Sequence, residues 1–299
     1  MHHDDHTDLF EARREFLTGL AYRMLGSLAD AEDAVQDTYL KWIGTNRHAI
    51  ENHAAWLTTV CTRHCVDMLR SVQRARGDYI GVWLPEPVCT HTGSTPEDAA
   101  ELASSLSMAF LLVLERLAPK ERAAFLLHEI FDQSYADVAA TLGVKEATCR
   151  KLVSRARKNV AHADRRNVVP VERQELLLSA FRSAVKTGDT AQLAAMLSQD
   201  VTLGADGGGK VPAHPELLVG RGEVLDFIAT KLRRFWKTCH CTPTVINGLR
   251  GALIHEQGSV IASVGFSWNA EHSLDKILIV RNPDKLTRVE SPPRNMPLQ

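Results

Sequence analysis

The stretch from Gly204 to Val211, GADGGGKV, has the G-x-x-x-x-G-K spacing of a phosphate-binding loop. Gly204, Gly209 and Lys210 occupy the defining places, and the apolar Val201-Thr202-Leu203 supplies a candidate preceding strand. Such a loop needs a Ser or Thr directly after the lysine, because that hydroxyl helps to hold the magnesium ion that bridges the phosphates. Val211 stands there instead. A helix must also begin at this point, so that its free N–H groups and positive dipole end face the phosphates. Pro212 and Pro215 follow at once, and Pro215 would fall near the end of the first turn, where proline clashes with the turn before it. Nucleotide hydrolysis is disfavoured, and the glycines need another explanation.

The six cysteines, at 61, 65, 89, 149, 239 and 241, form no disulfide-like framework. Cys61, His64 and Cys65, or Cys239, His240 and Cys241, hint at zinc, but a structural site wants four ligands in spaced pairs. Cys61 and Cys65 fall on the apolar face of a helix and read as small buried hydrophobes. His2, His3 and His6 read as a polar tail. No metal or cofactor is expected.

Residues 135–160, YADVAATLGVKEATCRKLVSRARKNV, carry a different chemistry. A helix from Ala136 to Leu142 ends at Gly143, and a second starts near Lys145 or Glu146. Ala139, Gly143, Val144, Cys149 and Leu152 have the spacing of a helix-turn-helix, in which two short helices cross over small residues. The second helix holds Lys145, Arg150, Lys151, Arg155, Arg157 and Lys158 against one acid, Glu146. That asymmetry suits a helix laid in a DNA major groove, with flanking cations on phosphates and the N-terminal face on base edges. A solvated basic face is the plainer alternative.

The rest of the chain must position this helix. Its 299 residues, 44% hydrophobic and 24% charged, allow two or three domains, and a net charge of −1 leaves any nucleic-acid affinity to a local patch. No apolar run approaches bilayer length and the N-terminus lacks the order of a signal peptide, so a cytoplasmic protein with no membrane partner is expected. Residues 8–75 read as three helices: Leu17, Leu20, Ala21, Met24 and Leu25 mark the first, Ala31, Val35 and Tyr39 the second, and Leu57, Cys61, Cys65 and Met68 the third. Glycines and prolines cluster from Gly77 to Pro96 as a linker, in which Trp83-Leu84 between prolines should dock on a domain surface rather than stay in water. Helices resume to about residue 164. Beyond Pro170, helices over 172–187, 189–198 and 223–236 precede strands at 244–246, 252–255, 260–268 and 276–280, which predicts an α+β domain with one antiparallel sheet.

Two sets of motifs carry a family resemblance. Leu117-Ala118-Pro119-Lys120-Glu121-Arg122, Ser134 to Ala139, and Ser154-Arg155-Ala156-Arg157 resemble region four of the sigma-70 family, in its extracytoplasmic-function (ECF) branch of RNA polymerase sigma factors. Asp30 to Asp37 resembles region two's polymerase-binding helix, and Ala55-Trp56-Leu57 through Asp67-Met68-Leu69-Arg70 its promoter-melting helix. Trp83 to Pro87, Asp206-Gly207-Gly208-Gly209-Lys210 and Asn282-Pro283-Asp284-Lys285-Leu286 resemble motifs of the SigJ-like group, which bears a C-terminal SnoaL-like extension.

The resemblance implies two all-α domains, region two over 1–76 and region four over 101–166, joined by a linker at 77–100. An α+β, cone-shaped SnoaL-like domain follows over 172–290, with a tail at 291–299. It implies a transcription initiation factor, not an enzyme, whose partners are core RNA polymerase and promoter DNA, with a small molecule as a candidate ligand of the C-terminal domain. Asp30, Asp33 and Asp37 would meet polymerase. Glu146, Thr148 and Lys151 would read base edges of the minus-thirty-five element, Arg155 base or backbone, and Arg150 and Arg157 phosphates. Asn46, Arg47 and Asn52 would form a pocket for an unstacked minus-ten base, supported by Trp56, Arg63 and Arg70, although Trp56 equally fits plain core. Trp83, Leu84 and Pro85, Asp206 to Lys210, and Asn282, Pro283, Asp284 and Lys285 would form an interdomain regulatory contact, the glycines being a flexible turn. The main alternative is a helix-turn-helix regulator fused to a small-molecule-binding or cyclase/isomerase-like enzyme domain. Its acid–base candidates are Asp200, Asp206, His214, His255 and His272, no two of which the sequence brings within reach.

Overall fold

The structure is a computed structural model, and it describes residues 4–46, 49–75, 79–90, 105–160 and 169–289. They form two compact units, a helical one from 4–75 and 111–160 and a second from 79–90, 105–110 and 169–289.

In the helical unit, α1 (Asp4–Leu25), α2 (Leu28–Ile43) and α3 (His53–Ala75) pack together. Leu17, Leu20, Ala21, Met24 and Leu25 of α1 are all buried, as their three- and four-residue steps predict. Gly26 breaks the run with a positive φ, and Ser27 then starts α2 by accepting from the Asp30 amide at 3.2 Å. Cys61 and Cys65 lie buried on the inner face of α3. Among the described residues no cluster of His, Cys, Asp and Glu could hold a metal ion, and no helix is long and apolar enough to cross a membrane.

The helix α4 (Met108–Leu114) straddles the division between the units, and the helical unit goes on with α5 (Pro119–Phe125, continued by a π-helical turn Leu126–Ile130), α6 (Tyr135–Leu142) and α7 (Glu146–Val160). Ser134 caps α6 through the Asp137 amide, and Gly143 ends it at φ 61°, which turns the chain into α7. Cys149, Leu152, Val153 and Ala156 form the buried side of α7. Two arginines join these helices to the first three. Arg122, fully buried, donates to the Met24 carbonyl at the end of α1 at 2.6 Å and to Glu115 at 2.7 Å. Loss of hydration lowers its pKa to about 9, so it stays charged at neutral pH. Arg63 of α3 donates to the Thr141 and Ala140 carbonyls at 2.7 and 3.0 Å, filling acceptors that the end of α6 leaves open.

The second unit has α8 (Val171–Thr187), α9 (Ala191–Ala194), β1 (Leu197–Asp206), β2 (Leu218–Val219) and α10 (Arg221–Phe227, through a π-helical segment Ile228–Leu232 to Arg233–Trp236). The strands β3 (His240–Ile246), β4 (Leu249–Glu256), β5 (Ser259–Trp268) and β6 (Leu274–Val280) and the short α11 (Pro283–Leu286) complete it. The six strands lie in the order β2-β1-β6-β5-β4-β3. Leu177, Phe181 and Ala184 of α8 and Val224 and Ile228 of α10 share one apolar core with Ile254, Val264 and Ile277 of the sheet, and Phe181 meets Phe266 at 5.5 Å. The α+β class is as expected, with two corrections. The helix expected over 189–198 shrinks to Ala191–Ala194, because Leu197 and Ser198 already belong to β1 and point into the fold. The sheet is mixed, since β1 runs parallel to β6, a pairing that joins distant parts of the chain and leaves no local signal.

Gly143→Ala puts a Cβ on a left-handed backbone. It is expected to lower the stability of the full chain by about 1 kcal/mol, read as a reduced denaturant midpoint for the helical signal.

Candidate functional site

On α7 every predicted contact residue is exposed. Arg150 pairs with Glu146 one turn back and lies 4.6 Å above the Tyr135 ring. Arg155 reaches Glu121 of α5 at 3.0 Å, and Arg157 donates twice to Glu129 at 2.7 and 3.0 Å, which raises its pKa through that hydrogen bond. The side chains of Thr148 and Lys151 share the exposed face and make no hydrogen bond or ion pair among the described residues. The helix thus offers free groups near its N-terminal half and arginines preset by carboxylates on its flanks. Exposed pairs of this kind contribute little to stability, so exchanging a carboxylate for a phosphate costs little.

In the first three helices, Asp33 and Asp37 stand exposed on α2, Asp30 sits half-buried in its first turn, and Asp37 meets His64 at 3.1 Å. Leu40, 53% exposed, and Ile43 continue that face by seven and ten residues from Asp33, so the acidic stripe ends in an apolar step. This apolar step was not singled out from the sequence, although three- and four-residue spacing from Asp33 marks it. Asn52 caps α3, its Oδ1 accepting from the Ala55 amide at 3.0 Å, and Asn46 is exposed in the loop before it. Arg47 lies outside the described residues. Trp56 is half-buried with its ring 5.6 Å from that of the buried Trp42, a packing role that leaves one side accessible. Arg70 pairs with Asp67, whereas Arg63 is occupied by the α6 carbonyls.

The densest polar constellation lies in the second unit, where linker residues 79–90 bind the C-terminal domain. Asp206, at the end of β1, is 0% exposed. Its carboxylate accepts from the Tyr79 hydroxyl at 2.6 Å, the Leu84 amide at 2.9 Å and the Gly208 amide at 3.0 Å, and pairs with the Lys285 ammonium at 2.7 Å. Lys285 also donates to the Leu84 carbonyl at 2.6 Å and stands 4.4 Å from the Trp83 ring centroid. Burial, then the neighbouring Asp206 carboxylate, push the Tyr79 pKa up, so the phenol remains a donor. Asn282 starts α11 by accepting from the Asp284 amide and donates to the Tyr79 oxygen at 3.1 Å. Leu84, Pro85 and Pro87 are buried and Trp83 is half-buried.

Farther along, Glu86 is buried 4.0 Å from Arg288, and the linker lies against the free edge of β3. There the Val88 carbonyl accepts from the Asn247 amide at 2.9 Å and the Thr90 amide donates to the Val245 carbonyl at 3.1 Å. Tyr79 and Asn247 were not legible as site residues, since each acts across more than a hundred positions.

The glycine turn now has its explanation. Gly208 has φ 60°, and a Cβ on it would lie 2.3 Å from Asn282 Nδ2, so the turn is tight rather than flexible. Gly207 and Gly209 flank it, the latter against Ile80 of the linker. Lys210, expected to meet another domain together with Asp206, instead pairs at 2.5 Å with Asp284 of the same domain. Pro283 is the first residue of α11.

The five acid–base candidates are dispersed. Asp200 is exposed, Asp206 is committed to Lys285, His214 bonds the Glu216 carbonyl, His255 faces Thr242 at 3.3 Å, and His272 sits in a turn at φ 54°. No hydrogen bond joins any two of them among the described residues. A cavity of about 490 Å³ lies beside His240, Thr242 and His255 without an acid–base dyad of those candidates.

Comparison with known proteins agrees with this layout. Residues 9–75 match the family model for sigma-70 region 2, and residues 107–160 that for sigma-70, region 4. The ECF RNA polymerase sigma factor SigJ of Mycobacterium tuberculosis is 40% identical over 228 residues, 76% of this chain and 73% of that protein. The probable ECF RNA polymerase sigma factor SigI of the same organism is 32% identical over 201 residues, 67% and 69% of the two chains. The crystal structure of M. tuberculosis SigJ matches with a TM-score of 0.73 at 32% identity, over 95% of this chain and 99% of that one.

Asp206→Asn leaves the Lys285 ammonium without its anion and is expected to destabilise the second unit by about 3–5 kcal/mol, measured by chemical denaturation. The double change Asp206→Asn with Lys285→Met should cost less than Asp206→Asn alone, because no buried charge is then orphaned.

Proposed function

Because the chain belongs to the extracytoplasmic-function sigma factors of the sigma-70 family, it is a transcription initiation factor, and we propose that its C-terminal domain regulates initiation by holding the linker. The observation that carries this reading is the Asp206–Lys285 pair closed over Tyr79, Trp83 and Leu84. The linker is the only covalent tie between the helices that meet the minus-ten element and those that meet the minus-thirty-five element. A domain that grips it limits how far the two can part on promoter DNA.

In this reading, Asp30, Asp33, Asp37, Leu40 and Ile43 dock on core polymerase, where acid steers the encounter and apolar surface holds it. Thr148, Lys151 and Glu146 read bases from the N-terminal half of α7, while Arg150, Arg155 and Arg157 leave their carboxylates for phosphates. Asn46, Arg47 and Asn52 receive the unstacked base, with Trp56 and Arg70 beside them. Arg63 joins them only when the clasp on the Ala140 and Thr141 carbonyls opens. Regulation by the C-terminal domain therefore acts on a two-state arrangement, closed with Arg63 engaged and open with it released.

Transcription in vitro with separately supplied core polymerase tests the reading, comparing the full chain, Asp206→Asn and a chain ended at residue 171. Loosening the linker is expected to change promoter-specific transcript yield about fivefold or more, the size of a coupling of roughly 1 kcal/mol. Equal yields from all three would remove the regulatory role while leaving the initiation role intact.

A further inference from the structure

The ends of α8 and α10 converge on one face of the second unit, where the Arg233 side chain lies 3.2 Å from the place a Cβ on Gly188 would take. Arg182 and Lys186 stand on the last turns of α8, and Lys231, Arg233, Arg234 and Lys237 on the last turns of α10 and just beyond it. All six are exposed, and none has an ion pair among the described residues. Among nearby acids, Asp189 follows α8 directly, its Oδ1 accepting from the Ala191 amide, Asp226 lies on α10 itself, and Glu256 lines the cavity beside Thr238. Phe235 stands among the cations 58% exposed, with the Arg234 guanidinium 5.8 Å from its ring centroid.

Helix dipoles account for part of this. Each C-terminus favours a cation in its last turn, but a partial charge of about half an electron per helix does not call for six. An exposed aromatic ring in the middle of the patch is likewise unneeded for capping. All six residues also lie outside the segments that match sigma-70 regions 2 and 4.

We propose that this face binds the phosphate backbone of duplex DNA, as a third and sequence-independent contact beside the two promoter-reading modules. Charge complementarity favours this occupant. Duplex DNA carries about one negative charge per 1.7 Å of axis, so exposed cations on flexible stems find phosphates in many registers, whereas an acidic protein surface must match them one by one. Exposed lysines and arginines at helix C-termini suit phosphates rather than base edges, so the face holds DNA without reading it.

The experiment measures binding of the full chain to a non-promoter duplex over a range of salt concentrations. The triple variant Lys231→Gln, Arg234→Gln, Lys237→Gln is expected to reduce the slope of log affinity against log salt by about 2–3, since each phosphate contact contributes about 0.9. Arg182→Gln with Lys186→Gln, on the other helix, should reduce it by about 1–2 independently. A Lys151→Gln variant reports α7 separately, so failure of the promoter reading and failure of this one are distinguishable. Unchanged slopes for both patch variants, with unchanged melting curves, overturn the inference. So does a triple variant that binds DNA normally but associates more weakly with core polymerase, which would assign the face to an acidic protein.

Discussion

A carboxylate that water never reaches organises the second unit. Asp206 is worth burying only because four donors converge on it, and two of those, the Tyr79 hydroxyl and the Leu84 amide, come from a segment more than a hundred residues upstream. Lys285 answers its charge and at the same time binds the Leu84 carbonyl. An isolated buried ion is prohibitive, so carboxylate, ammonium and linker are stable together or not at all. The tight Gly208 turn, the Asn282 cap and the apolar seat for Leu84 all bring those partners within hydrogen-bond length.

The helical unit is joined by a related device with a smaller charge balance. Arg122 and Arg63 each donate to carbonyls at helix ends, at Met24 and at Ala140 and Thr141, where the backbone has acceptors to spare. Arg122 is sealed in and joins α5 to α1 in this arrangement. Arg63 is exposed, and the same guanidinium is wanted by DNA in the proposed open form. A contact that water can enter is easily exchanged, as the proposed open form requires.

Much of this was legible in sequence where the signal is local. The periodicity of α1 to α3, the Ser134 and Gly143 boundaries of α6 and the basic bias of α7 depend on neighbours a few residues away. β1 was misread at its start because Leu193, Leu197 and Val201 keep a four-residue step that serves a helix as well as a strand until the sheet decides. Its parallel partner β6 and the linker's seat are long-range pairings, and no pattern in one segment encodes them. The glycine loop was recognised as something other than a phosphate cradle from Val211 and two prolines, and the resemblance grouped it with Asn282, yet its contact with Ile80 emerges only in three dimensions. The carboxylates opposite the α7 arginines, Glu121 and Glu129, were invisible for the same reason.

The linker's short run alongside β3 has one more effect. Val88 to Thr90 supply hydrogen bonds to the last residues of an outermost strand, which would otherwise present unsatisfied amides and carbonyls to any passing chain. A molecule whose strap has come away therefore carries a sticky margin. Solubility itself then favours the strapped form.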